Sequence, residues 1–216
     1  MDIPRLSVEI MSEKELIEYI QQNLEHSPMI DTETGISAVK KLAKIAEREK
    51  VEWALAGGIA MHLYGSPRLT KDVDIVSLKR LPLQAVNPIG FGGESYEVKV
   101  GKKMIHVDWI VREDNYRQYY EQALKDATKL KNGLKIIAPE WLAILKYIAG
   151  RAKDLDDIVF LLKRKAFLSR QKIKENIITT KSEDVWFAML PNWQRLFDLA
   201  DSNIEERDKY YRDPQR

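Results

Sequence analysis

The chain contains no cysteine among its 216 residues. Disulfides, thiol nucleophiles and cysteine-ligated zinc are therefore excluded. It also lacks any apolar run near the roughly 18 residues of a membrane span. Its first residues, "MDIPRLSVEIMSEKE", lack the apolar core of a secretory signal. The expectation is a cytoplasmic protein with no membrane partner. Charge of one sign is lacking too: 35 Lys and Arg face 33 Asp and Glu, for a net charge of +2. That balance excludes the electrostatic footprint of a dedicated nucleic-acid coat while leaving a local basic face open. No internal repeat or low-complexity tract stands out.

Periodicity and punctuation predict a mixed α/β chain, of α+β class. "SEKELIEYIQQNLE" (12–25) reads as a helix opened by a Ser12–Glu15 capping box. "HSPMIDTETG" (26–35) reads as a break, and 36–49 as a helix with Ile36, Val39, Ala43 and Ala46 at helical spacing. "VEWALA" (51–56) is a strand, "IAMHLYG" (59–65) a short helix and "VDIVS" (73–77) a strand. "LKRLPLQAVNPIGFGG" (78–93), with its prolines and glycines, is irregular. "ESYEVKV" and "KMIHVDWIV", bent at "GKK", form a hairpin. Beyond it come helices over 114–127, 139–150 and 152–164, a short strand in "GLKIIA" (133–138), and one or two helices over 182–207 interrupted near Pro191. The expected organisation is an N-terminal helical extension (1–35), a small mixed-sheet core with flanking helices (36–112), and a mostly helical remainder (113–216).

One stretch is not needed to build a core: "GGIAMHLYGSPRLTKDVDIV" (57–76). Asp72 and Asp74, two apart on a strand, share a face. Carboxylates so placed repel unless a cation stands between them, and Mg²⁺ (or Mn²⁺) with a phosphate-bearing substrate suits the pair. Asp108 is the candidate third carboxylate. In "KMIHVDWIV", Ile105, Val107, Trp109 and Val111 make one apolar face and Met104, His106, Asp108 and Ile110 the other. An aspartate there is costly unless paired, either with metal or with an arginine. Gly57 and Gly58, between strand and helix, let a ligand approach the backbone, and the helix start offers free N–H groups. Thr70 adds a hydroxyl, and Arg68 and Lys71 add positive charge.

A Gly-Gly, a short apolar helix ending in Tyr64-Gly65, then Arg68, Thr70, Asp72 and Asp74, with a later strand aspartate, resembles the DNA polymerase β-like nucleotidyltransferases. The finer pattern is similar to the AbiEii-type toxins and minimal nucleotidyltransferases. The likeness spans roughly residues 36–165. It implies a nucleotidyltransferase fold and transfer of a nucleoside monophosphate from a nucleoside triphosphate (NTP) to an acceptor hydroxyl, with Mg²⁺ or Mn²⁺. Metal would be held by Asp72, Asp74 and Asp108. The family's helical lysine and its "R-x-K/R-D-x-x-D" stretch map onto Lys146 and onto Arg151, Lys153, Asp154 and Asp157. By that likeness Gly57, Gly58, Arg68, Thr70, Lys146 and Asp154 serve the nucleotide. The acceptor stays open among tRNA or other RNA, a protein side chain and a small molecule, and an antitoxin partner is implied. The Pro/Gly-rich stretch 78–93 departs from relatives that often have a helix there.

Plainer readings stand beside these. Lys146 could be a solvated helix lysine, and Asp154 a helix cap or a partner of Arg151 or Lys153. His62 and His106 read as packing or surface residues, and Trp141, Trp186 and Trp193 as core. "KRKAFLSRQKIK" (163–174) is the densest basic run, either a solvated face or an RNA contact with salt-sensitive affinity. A catalytically silent nucleotide- or partner-binding module is the alternative to an enzyme, and a Mg²⁺-dependent phosphohydrolase is the rival chemistry.

Overall fold

The computed structural model describes residues 30–202, and the expected helix over 12–25 lies outside them. In chain order the elements are α1 (Thr32–Arg48), β1 (Trp53–Ala56), α2 (Gly57–Leu63), β2 (Val73–Ser77), β3 (Asn87–Pro88), β4 (Gly93–Val100), β5 (Lys103–Val111), α3 (Arg117–Lys125), β6 (Thr128–Lys129), β7 (Lys135–Ile136), α4 (Pro139–Ala149), α5 (Ala152–Leu162), α6 (Arg170–Thr180) and α7 (Glu183–Asp201). Among the described residues this is a mixed α/β fold with one seven-stranded sheet, ordered β3-β4-β5-β2-β1-β7-β6. β2 runs parallel to β5 and antiparallel to β1, while β1 runs parallel to β7. The two short strands β6 and β7 come from beyond residue 112. Sheet and C-terminal helices share one hydrophobic cluster reaching from Ile30 to Ala200. No helix among the described residues is long and apolar enough to cross a membrane.

Three local departures from the sequence reading have physical causes. α1 begins at Thr32, four residues before its expected start. Asp31 caps it, its Oδ1 accepting from the Thr34 N–H at 2.8 Å. Gly35 is no breaker: a Cβ there would stand 2.7 Å from Ile59 Cδ1, so the glycine lets α1 close on α2. Pro191 lies inside an unbroken α7. The missing N–H leaves one carbonyl without its helical donor, and the helix is held instead by its buried face of Trp186, Trp193, Leu196, Phe197 and Ala200. The basic run divides, with 163–169 a connection and only Arg170 onward helical.

Other features match the sequence closely. β2 occupies Val73–Ser77, and β5 buries Ile105, Val107, Trp109 and Val111 while His106 and Asp108 remain partly exposed. α4 opens with Pro139 and closes on Gly150 at φ +66°. Trp141, Trp186 and Trp193 are buried core residues.

Candidate active site

Three strands bring the candidate centre together through their register. Ala56 at the end of β1 pairs with Asp74 on β2, and Asp74 pairs with Asp108 on β5. Neighbouring strands lie about 4.8 Å apart, so the two aspartates stand side by side on one face. Burial, then repulsion from Asp72 and Asp108, pushes the Asp74 carboxyl up to about 6, against the pull of Lys146 and of the Gly58 N–H. That N–H lies 3.4 Å from Asp74 Oδ2. Asp108 is also raised, by burial first; Asp72 adds to the rise and His106 opposes it. His106 bridges two carboxylates, with Nδ1 2.9 Å from Glu97 and Nε2 3.2 Å from Asp108 Oδ1. Burial pulls the imidazole pKa down, and Glu97 and Asp108 more than restore it, so the net shift is upward. Sequence reasoning left His106 out, although it lies two residues from Asp108 on the same strand face.

The glycine turn is shaped by what touches it. Gly57 adopts φ +58°, and a Cβ on it would fall 1.7 Å from Asp74 Oδ2. Only glycine lets the turn pass this close to the carboxylate. A Cβ on Gly58 would fall 2.3 Å from Thr70 Oγ1, so the second glycine is matched to Thr70. The Thr70 hydroxyl, almost fully buried, lies 3.0 Å from Asp72 Oδ1 and 3.2 Å from the Asp72 carbonyl and donates toward them. Asp72 sits one residue before β2, held in this side-chain-to-backbone loop.

Behind the centre lies a buried ion network. Lys146 is 5% exposed, Asp154 0% and Asp157 2%, which rules out a solvated lysine. Lys146 Nζ donates to Asp157 Oδ2 at 2.6 Å and to Asp154 Oδ1 at 3.2 Å. Arg151 donates to Asp154 through Nε at 2.6 Å and a terminal nitrogen at 3.2 Å. Burial raises the Asp154 carboxyl, but the Arg151 hydrogen bonds and the Lys146 charge outweigh it and hold it below the ordinary range. Arg68 joins as an ion pair, Nε 3.0 Å from Asp157 Oδ1, although its N–H points away from a good hydrogen bond.

A cavity of about 380 Å³ opens over the Asp74–Asp108 face. Gly57, Asp74, Asp108, Lys146 and Arg151 line one part of it. Val76, Ile110 and, from α4, Leu142, Leu145 and Ile148 line an apolar part, with Phe91, Arg112 and Tyr120 beside them. Of the residues singled out in the sequence, five meet at this cavity: Gly57, Asp74, Asp108, Lys146 and Arg151. Gly58, Arg68, Thr70, Asp72 and Asp154 stand behind or beside it, bonded to neighbours rather than lining it. Arg112 was absent from the sequence-based site, yet it follows Asp108 and Ile110 at two-residue steps, just past the end of β5, a signal already present in the alternation.

The donor set suits a hard divalent cation. It is all oxygen, from Asp74 and Asp108 in register with Asp72 close by, and a cation would relieve the repulsion that raises Asp74. As the side chains stand, no three His, Asp or Glu residues among those described are gathered closely enough to hold a metal ion. The Thr70 contact to Asp72 and the His106 contact to Asp108 account for two of the three.

No protein-family model matches the chain, and no curated protein matches it in sequence. Among solved structures, it is similar to a crystal structure of an antigenic nucleotidyltransferase-like protein from Paracoccidioides brasiliensis, with a TM-score of 0.43, 17% identity, and coverage of 80% of this chain and 95% of that one. A likeness at that level leaves the chemistry to be read from this chain's own side chains.

Proposed function

We propose that the protein is a divalent-cation-dependent nucleotidyltransferase, moving a nucleoside monophosphate from an NTP to an acceptor hydroxyl and releasing pyrophosphate. The observation that carries the proposal is the in-register Asp74–Asp108 pair beside the Gly57 turn, at a cavity shared with Lys146 and Arg151. Asp72, Asp74 and Asp108 would hold Mg²⁺ or Mn²⁺, which when bound supplies Lewis-acid charge to phosphoryl and hydroxyl oxygens. Lys146 and Arg151 meet the negative charge of the triphosphate, in an orientation fixed by Asp154 and Asp157. Asp108, its carboxyl raised by burial, takes the proton of the acceptor hydroxyl as the new oxygen–phosphorus bond forms and the bond to pyrophosphate breaks. Arg68 and Thr70 act through others, Arg68 on Asp157 and Thr70 on Asp72.

A second reading, a nucleotide-binding module without chemistry, is favoured by one observation: each carboxylate is engaged by a protein group, and no metal-ready trio is gathered among the described residues. Incubation with each α-labelled NTP and Mg²⁺ in a cell extract separates the two. Label entering RNA, protein or a small molecule, and lost in Asp74→Asn, supports transfer and identifies the acceptor class. Label in tRNA supports the narrower proposal of an AbiEii-type toxin with an antitoxin partner, which rests on the motif resemblance alone. Nucleotide binding with no labelled acceptor favours the module, and equal labelling by wild type, Asp72→Asn and Asp74→Asn sinks the metal assignment.

A further inference from the structure

The apolar part of the cavity ends in an aromatic–arginine cluster that none of the proposed chemistry uses. The Arg112 guanidinium lies 5.4 Å from the ring centroids of Phe91 and Tyr116 and 5.6 Å from that of Tyr120. Asp114 holds it from the other side, accepting from Nε at 3.1 Å and from a terminal nitrogen. The Arg112 side chain is 10% exposed, so the guanidinium is fixed in place. Phe91, by contrast, is 46% exposed while lining the cavity. A large ring presented in this way is a surface for a flat partner.

The loop that carries Phe91 is built to hold it there. A Cβ on Gly92 would lie 2.4 Å from the Val111 carbonyl oxygen, and one on Gly93 would lie 2.1 Å from that of Trp109. Both glycines have positive φ, +112° and +102°. Only glycines let "GFGG" press this closely on the end of β5. Hydrogen bonds close the loop: Gly92 N–H donates to the Ile89 carbonyl at 2.9 Å, Ile89 N–H to Gly93 at 3.1 Å, and Val111 N–H to Gly92 at 3.3 Å. The Pro/Gly-rich stretch that departs from its expected relatives is thus a clamp at this point.

Position along the strand connects the cluster to the aspartates. Asp108 and Ile110 share a face of β5 and Arg112 follows one residue beyond its end, so Arg112 stands roughly 13 Å from Asp108 along the extended chain. An extended nucleotide with its phosphates at the aspartates brings its base toward that end. We infer that Phe91, backed by Arg112, is the stacking platform for the nucleobase of the bound NTP. The inference rests on the nucleotidyltransferase reading, because that reading sets the phosphates at Asp74 and Asp108. Two of the Arg112 nitrogens are already committed to Asp114, and among the described residues no amide side chain lines the cavity. The base is therefore gripped by its face rather than read along its edge. All four NTPs bind, and purines, with the larger π-face, bind more tightly than pyrimidines.

Calorimetric titration of the full chain with ATP, CTP and inorganic tripolyphosphate, each with Mg²⁺, tests this. Phe91→Ala is expected to weaken ATP binding about tenfold and to leave tripolyphosphate within about twofold. Phe91→Tyr restores ATP affinity, because the ring returns. Unchanged ATP affinity in Phe91→Ala, or equal losses for ATP and tripolyphosphate, overturns the platform and leaves the proposed transferase standing. So does a wild type that binds ATP no more tightly than tripolyphosphate. A wild type that binds neither ligand overturns both.

Discussion

Gly57→Ala tests the contact on which the centre is built. At φ +58° an alanine pays for left-handed backbone, about 1–2 kcal/mol. Its methyl would fall 1.7 Å from Asp74 Oδ2, 2.3 Å from Cγ and 2.6 Å from Cβ. Those three atoms belong to a strand residue paired on both sides, at Ala56 and Asp108, so the backbone yields little. An inserted methyl in such a place costs about 1–3 kcal/mol more. The expected total is about 2–5 kcal/mol, a fall in Tm on the order of 10 °C for a chain of this length. The clash term can be isolated by repeating the substitution in an Asp74→Gly background, where all three colliding atoms are gone and only the φ cost remains. A double-mutant cycle by urea denaturation should therefore give a coupling of about 1–3 kcal/mol, the pair being less damaging than the sum. Additivity to within about 0.5 kcal/mol would refute the argument, because it would mean that the Gly57 turn and the Asp74 carboxylate do not compete for the same space.

Lys146→Met leaves Asp154 and Asp157 buried with Arg151 and Arg68 as their remaining partners among the described residues, and should cost about 3–5 kcal/mol in chemical denaturation; an unchanged midpoint refutes a structural role for the network. Asp154 has a depressed folded pKa, so its contribution is present above the ordinary aspartate range and is lost as pH falls through the folded value; Asp154→Asn should flatten the acid limb of the stability curve. Asp74 has the opposite sign. Its folded pKa of about 6 exceeds the unfolded value of 3.8, so the metal-free protein binds more protons folded than unfolded, and stability falls as pH rises between those values. Asp74→Asn should remove that slope and raise metal-free Tm near neutral pH, while Mg²⁺ should narrow the gap by stabilising wild type alone. Thr70→Val, which keeps the shape but drops the hydroxyl held at Asp72, should cost about 1 kcal/mol and loosen Mg²⁺ binding, read by thermal shift against metal concentration.

The parts of the fold that were legible are those in which one local signal suffices. The β4–β5 hairpin follows from its alternation and bend, β2 from its short β-branched run, and α4 from Pro139 and Gly150 at its ends. The misread start of α1 shows why glycine alone misleads: Gly35 is set by Ile59, 24 positions later, and no local pattern contains that contact. β7 falls inside the short strand read in "GLKIIA", whereas β6 has only two residues and gains its place from pairing with β7, so its own periodicity is too short to read. In the site, Gly57, Asp74 and Asp108 could be picked out by type and spacing, whereas the expected strand pairing of Asp72 with Asp74 could not hold, because Asp72 falls before β2 and is bonded to Thr70. The bonding of Lys146 was not legible either, because a lysine amid Leu145 and Tyr147 reads equally as a solvated cation until α5 brings Asp154 and Asp157 against it.

The charges around the cavity explain why a divalent cation belongs to the proposed chemistry. Lys146, Arg151 and Arg112 line it, and taken alone they suggest a basic pocket for a triphosphate. Each, however, is already paired: Lys146 with Asp154 and Asp157, Arg151 with Asp154, and Arg112 with Asp114. Counting Arg68 on Asp157, four cations stand against five carboxylates, namely Asp74, Asp108, Asp114, Asp154 and Asp157, and Asp72 makes six. His106 and Glu97 cancel when the imidazole is charged. Among these described groups the balance is net negative before any phosphate arrives, and a triphosphate entering alone would meet repulsion at the Asp74–Asp108 end. The lysine and arginines orient a substrate that they cannot neutralise. Mg²⁺ or Mn²⁺ reverses the sign where the carboxylates are densest, so NTP affinity should collapse when the cation is chelated. That loss should be larger in wild type than in a doubly neutralised Asp74→Asn, Asp108→Asn variant, whose cavity repels phosphate less. Equal NTP affinity with and without Mg²⁺ in wild type would show that the paired cations suffice and that this account of the cavity is wrong.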